Sequence, residues 1–316
     1  MLSTVSLVAV AVIAAALAVA WSKRFLATGA LVVANLVVFV LMAFGGTTTY
    51  RGQPIATIHA ELGLTAANLH DPSALGALQL LTSMFVHADF FHILGNVIIL
   101  LAFALPFEER IGHRPFLLLY VGSGLVGTLA QVGAYWGQPM LLMGASGAVF
   151  GIIGAFAAAY PRLVVPLPLP LFVIMIFVRM RVWVAAVIFG GLQLLYLATI
   201  SNLDNTAYMA HIGGLAAGIV LSMVWVRSRG RPEDGPKPVR LHVGSLQAFA
   251  ADAGTKAALQ QMERNRDEPV VFQAWWERFW KGARDPATGQ RVRPGKPGTV
   301  VREDGVVIQL DEPARL

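Results

Sequence analysis

Three polar spots in the apolar body of the chain carry residue types that can do chemistry together. Gly144-Ala145-Ser146-Gly147 puts a serine hydroxyl where a short loop enters the apolar segment 145–160, with Gly144 ahead of the turn. Ala210-His211-Ile212-Gly213-Gly214 puts an imidazole near the start of a second apolar segment, 207–226. A serine hydroxyl becomes a competent nucleophile when an adjacent base takes its proton, and histidine is the commonest such base. Gly214 and Gly218 follow His211 at helical spacing, so their bare face would let this helix lie against the Gly147/Gly151 helix and bring imidazole to hydroxyl. His92 and Asn96 are four residues apart and share one helix face, from which both could donate hydrogen bonds to a developing oxyanion. The segments of Ser146 and His211 hold no aspartate or glutamate to orient the base, which favours a Ser-His dyad over a triad.

Each spot also has a plainer reading. Small residues let membrane helices approach closely, and a His92/Asn96 pair could be an interhelical clasp worth about 0.6 kcal/mol per hydrogen bond. A lone histidine could simply be hydrogen-bonded at the interface. Against this, an ionisable residue inside a membrane segment is a functional candidate by default.

The elements that must position these residues follow from composition. Of 316 residues, 56% are hydrophobic and 13% charged, against about 25% charged in soluble domains, which excludes an ordinary soluble enzyme. Mean hydropathy is +0.63. Apolar runs occur at 2–21, 25–44, 80–105, 116–136, 145–160, 182–198 and 207–226. Seven membrane helices are expected, since about 20 apolar residues span a bilayer. The runs are continuous rather than alternating, which argues against a β-barrel. The fold class expected is therefore an all-α membrane protein, a polytopic helical bundle. The first run lacks a basic stretch ahead of it and a cleavage signature, so it reads as a retained helix rather than a signal peptide. Residues 45–76 read as an extramembrane or interfacial loop. Pro161, Pro166, Pro168 and Pro170 discourage a continuous helix and suggest an interfacial connection.

Eight of the 24 Lys and Arg residues precede position 227, and placing the Lys23/Arg24 turn inside leaves only Arg51 outside. The positive-inside rule then sets the N-terminus outside and the tail in the cytoplasm, in a cell-membrane protein whose site opens outward. Net charge is +6, too modest to call for nucleic acid as a partner and consistent with an anionic membrane surface beside the tail. There is no cysteine, so disulfides, Cys-ligated zinc and thiol nucleophiles are excluded. Gly122-Ser123-Gly124-Leu125-Val126-Gly127 fits a dinucleotide-binding pattern but lies in an apolar helix with no preceding strand. His87 and His92 lack the spacing of a His-Glu-x-x-His metal site. No cofactor and no metal are expected.

The tail, 227–316, begins with a linker bearing Pro232, Gly235, Pro236 and Pro238. A weak helical pattern runs over 245–264, Phe272, Trp275, Trp276, Phe279 and Trp280 recur at helical spacing, and Asp304-Gly305 between valine pairs predicts a hairpin. Both a small cytoplasmic module, packed on itself or on a partner, and a helix lying on the inner leaflet fit this pattern.

Taken in order, Leu81-Thr82-Ser83-Met84-Phe85-Val86-His87, then His92 and Asn96, Glu108-Glu109-Arg110-Ile111-Gly112, Gly144-Ala145-Ser146-Gly147 and Ala210-His211-Ile212-Gly213-Gly214 resemble the motifs of rhomboid intramembrane serine proteases. The resemblance spans nearly the whole apolar body. It implies a six-helix rhomboid-like core at 25–226, one added transmembrane helix and turn at 1–24, and the tail as a separate region. It implies Ser146 as nucleophile, His211 as base, His92, Asn96 and the Ser146 backbone N–H as the oxyanion hole, and Phe150 beneath the base. Glu108 would brace the turn after its helix. The Trp-Arg pair of many members' first loop is not visible. Implied partners are transmembrane protein substrates within the lipid bilayer. The competing expectation is an inactive rhomboid-like protein that binds membrane clients; a transporter is disfavoured by the scarcity of intramembrane charge.

Overall fold

The computed structural model describes residues 2–22, 26–65, 74–136, 138, 140–171, 174–199, 206–228, 246–265, 269–295 and 299–310. The chain divides into two compact units, Met1–Pro232 and Glu233–Leu316. The Lys23/Arg24 turn and most of the proline-bearing linker lie outside the described residues.

The first unit is mostly helical. Its helices are α1 (Thr4–Ser22), α2 (Ala27–Met42), α3 (Thr57–Leu62), α4 (Ala74–Thr82), α5 (Phe90–Ile111), α6 (His113–Ala134), α7 (Ser146–Ala159), α8 (Val182–Thr199) and α9 (Tyr208–Ser228). Five are long and apolar enough to cross a bilayer: α1, α5, α6, α8 and α9. Helices α2 and α7 are apolar but have 16 and 14 residues, so the expected seven spans appear as five long helices and two short ones among the described residues.

The expected span 80–105 needs correction. Its first part folds as the end of α4 and a 3-10 turn, Ser83–Phe85, and the spanning helix begins only at Phe90. The turn ends at Val86, whose backbone is extended, and Asp89 restarts the helix: its side chain accepts the His92 N–H at 2.9 Å, capping α5. The loop over 45–76 is also more ordered than its composition suggests among its described residues. It forms the hairpin β1 (Thr47–Tyr50) and β2 (Gln53–Ala56), then α3 and β3 (Leu64–Thr65).

The proline-bearing stretch forms a hairpin, β5 (Val164–Leu171) with β6 (Ile174–Arg181). Pro166, Pro168 and Pro170 alternate, so their missing N–H groups all fall on one edge of the strand, where no ladder bond is needed. Val165 and Leu167 between them are buried.

Glu108 works differently from the expected brace. Its buried carboxylate accepts from the Ala27 N–H, the Thr28 N–H at 2.8 Å and the Thr28 hydroxyl at 2.6 Å. It therefore caps the start of α2, supplying acceptors that Leu26 at the cap position lacks. At the N-terminal end of α1, the Ser3 N–H and hydroxyl donate to Glu61 on α3, at 2.9 and 2.7 Å.

The second unit contains α10 (Ala253–Arg264), α11 (Pro269–Gly282) and an antiparallel sheet of β7 (Val292–Pro294), β8 (Thr299–Arg302) and β9 (Val307–Gln309). Leu259, Met262, Phe272, Phe279, Val292 and Val300 form its core, with Trp275, Trp276 and Trp280 packed against it. The aromatic stripe thus serves the unit's own interior. Beside the sheet, Asp285 accepts from the Ala287 N–H at 3.0 Å, the Arg302 guanidinium at 3.0 Å and the Thr288 hydroxyl at 2.9 Å. These donors hold its carboxyl below the usual aspartate range. A group whose folded value is depressed stabilises the fold above its unfolded value, about 3.9, and that contribution fades as pH falls through the lower folded value. Asp285→Asn in the full chain is expected to make the tail easier to proteolyse at neutral pH and to flatten its further loss of protection below about pH 4. Equal cleavage rates for parent and variant at neutral pH would remove Asp285 from the unit's stability.

Candidate active site

Ser146 is the first residue of α7, and the chain before it is held from several sides. β4 (Leu141–Leu142) pairs with β3, the Gly144 N–H donates to the Ser83 carbonyl at 2.9 Å, and the Ala145 N–H donates to His87 Nε2 at 3.4 Å. His87 lies in the loop ahead of α5; burial, reinforced by the His92 ring, pushes its imidazole down to about 3, so it stays neutral and able to accept. Gly144 has φ +120°, a conformation side chains rarely adopt, and a Cβ there would fall 2.8 Å from the His92 ring. The bare Cα therefore lets the His92 ring lie against the loop leading to Ser146.

Helix α9 brings the base. A Cβ on Gly214 would lie 2.0 Å from the Gly147 carbonyl oxygen, and one on Gly218 would lie 1.9 Å from that of Gly151. The absence of both side chains lets α9 rest on the backbone of α7. Gln131 of α6 adds a pin, its side-chain oxygen accepting the Ala210 N–H at 3.1 Å just before the histidine. His211 Nε2 then stands 2.7 Å from Ser146 Oγ, and the Phe150 ring stacks on the imidazole at 4.5 Å and 9°. Its other nitrogen, Nδ1, lies 2.7 Å from Gln193 Oε1 of α8. The glycine-rich pattern at 122–127 lies within α6, where Gly127 approaches the Ala210 carbonyl; it is a packing feature.

Ser146, His211, His92, Asn96 and Phe150 all line one cavity of about 1370 Å³, together with Gln193. Asn96 donates one N–H to the His92 carbonyl at 2.8 Å, and a primary amide carries a second for a ligand. The six residues singled out from the sequence thus converge, Gly144 as the close-packed backbone and the other five around the cavity. Three contributors were not singled out, among them Gln131, one amide in the apolar segment 116–136. Asp89, which caps the helix of His92 and Asn96, had a local signal: an aspartate three residues before His92. Gln193 had none, being one amide in the apolar segment 182–198.

A half-buried serine and a buried histidine in contact, on short and long apolar helices around one cavity, define a helical multi-pass membrane protein with the geometry of acyl-transfer hydrolases. The Rhomboid domain family model matches residues 75–228. The Bacillus subtilis rhomboid YdcA is 30% identical over 166 residues, covering 48% of this chain and 69% of that protein. Rhomboid-like protease 3 of Toxoplasma gondii is 41% identical over 81 residues, covering 25% of this chain and 30% of its own length. Rhomboid-type serine protease 2 of Emericella nidulans is 29% identical over 182 residues, covering 55% and 31%. The chain belongs to the rhomboid family. It spans about two thirds of the Bacillus relative's length and under a third of the other two.

Proposed function

We propose that this chain is an intramembrane serine endopeptidase that hydrolyses peptide bonds in or near transmembrane segments of other membrane proteins. The observation that carries this is the 2.7 Å contact between Ser146 Oγ and His211 Nε2 within the shared cavity. Ser146 Oγ attacks the scissile carbonyl carbon while His211 Nε2 takes its proton; the same proton goes to the leaving amine nitrogen, and the acyl group stays on Ser146. Water then attacks the ester with His211 again as base, releasing the new carboxylate. The Ser146 N–H, the free Asn96 N–H and the His92 ring receive the oxyanion. Phe150 holds the imidazole plane from one face. An intact helix hides its carbonyls in hydrogen bonds, so the substrate segment must unwind at the cut.

The layout that accompanies this reading is an added helix and turn at 1–24, a six-helix protease core at 25–226 and a cytoplasmic tail at 227–316. Basic residues on one side of the helices support a cavity opening away from the cytoplasm. Reconstitution of the purified chain in liposomes with a transmembrane reporter tagged at both ends tests the reading. Two tagged fragments are the expected result. Capture of the reporter uncut would overturn the protease reading and favour client binding.

A further inference from the structure

We propose that Gln193 is a positioning residue that fixes His211 in the tautomer protonated at Nδ1, so that the Nε2 lone pair faces Ser146. The proposal rests on the dyad reading above. Neutral imidazole carries one ring proton, and only the tautomer with that proton on Nδ1 leaves Nε2 free to accept from a serine hydroxyl. Gln193 Oε1, at 2.7 Å from Nδ1, is an acceptor with no proton to give. Nδ1 therefore donates to it, and Nε2, 2.7 Å from Ser146 Oγ, accepts from the hydroxyl. When Nε2 takes the serine proton, the Nδ1–H goes on donating to Gln193 Oε1, and the amide dipole faces the new positive charge.

The helix that delivers Gln193 is shaped for this. α8 reads Val-Trp-Val-Ala-Ala-Val-Ile-Phe-Gly-Gly-Leu-Gln-Leu-Leu-Tyr-Leu-Ala-Thr, with Gln193 its sole amide. An amide in a membrane span is costly unless hydrogen-bonded. Phe189, four residues earlier and on the same face, meets Phe150 edge-on at 6.3 Å. Gly190, also on that face, lies so close to Leu215 of α9 that a Cβ would come within 2.7 Å of its side chain. The same face thus sits against α9, backs the ring that stacks on His211, and reaches its Nδ1. An amide differs from a carboxylate in one respect: turned over, it would donate to Nδ1 and select the unproductive tautomer. An ionised glutamate at this position can only accept.

The test is cleavage of the reporter by the full chain in liposomes, comparing the parent with Gln193→Met and Gln193→Glu and using Ser146→Ala as blank. Gln193→Met keeps the side-chain length without the acceptor. Its kcat is expected to fall about 10- to 100-fold, with KM within about twofold and an unchanged thermal midpoint, the scale of losses when the partner that orients a histidine ligand is removed. Gln193→Glu is expected to hold kcat at least about tenfold above Gln193→Met. Should Gln193→Met fail to fold, the comparison of Gln193→Glu with a folded Gln193→Leu carries the same contrast. Parent-like kcat in Gln193→Met, or equal loss in the Met and Glu variants, would overturn the proposal while leaving the dyad standing. Cutting that survives Ser146→Ala would overturn both.

Discussion

Ser146→Ala and His211→Ala are each expected to lower kcat/KM for a transmembrane substrate by at least about 10⁴-fold, with KM little changed. In the proposed mechanism Ser146 forms the bond to the acyl carbon, and its Oγ stands at hydrogen-bond distance from His211. In the same mechanism His211 would move the proton at every step, and its Nε2 is already at hydrogen-bond distance. Because the pair acts as one unit, the double substitution is expected to cost no more than either alone. Cleavage of the reporter at graded concentrations measures all three. Losses that multiply in the double variant would mean the two residues act independently, which the 2.7 Å contact does not allow.

Gly214→Ala is expected to lower activity by about 10²-fold although it removes no reacting group, because misplacing a catalytic group by about 1 Å costs that much. The added Cβ would sit 2.0 Å from the Gly147 carbonyl oxygen, where ordinary contact needs 3.4 Å or more. The obstacle is backbone and cannot rotate away, so α9 must shift off α7. His211 lies one turn from Gly214 and moves with it, away from Ser146. Overpacking of this kind also costs about 1–3 kcal/mol of stability. Gly191→Ala on α8 is the control, since a Cβ there meets nothing within 4 Å. The two variants are compared by kcat/KM and thermal midpoint. Equal activity in both would show that the close approach of α7 and α9 does not set the Ser146–His211 distance.

What could be read from the sequence divides along physical lines. Ser146, Gly144, His211, His92 and Asn96 stood out because each sits in a short motif whose residues act on one another locally: a glycine ahead of a turn, glycines that free a helix face, two polar groups four apart; Phe150 came only from the family resemblance. The convergence of those motifs on one cavity depends on α7, α5 and α9 packing as they do, and the paired glycines carried the signal for α7 against α9. Gln193 was illegible because its partner is 18 residues away on another helix and an isolated amide in an apolar run has no pattern. The start of α5 was misplaced because hydropathy averages over Asp89, whereas a single side-chain cap decides where the helix begins. The proline hairpin was hidden for a similar reason: prolines announce what they forbid, a helix, more clearly than the strand edge they tolerate. In the tail, helical spacing of the aromatics was visible, but only the sheet and Phe279 in the core show that they pack inward.

The most direct measurement of the Ser146–His211 dyad is covalent capture by a fluorophosphonate, followed by peptide mapping of the full chain. The reagent phosphonylates a hydroxyl only when a base removes its proton. Label on Ser146 alone, lost in His211→Ala, is the expected result. Label on a different hydroxyl, or undiminished label on Ser146 in His211→Ala, would contradict the dyad.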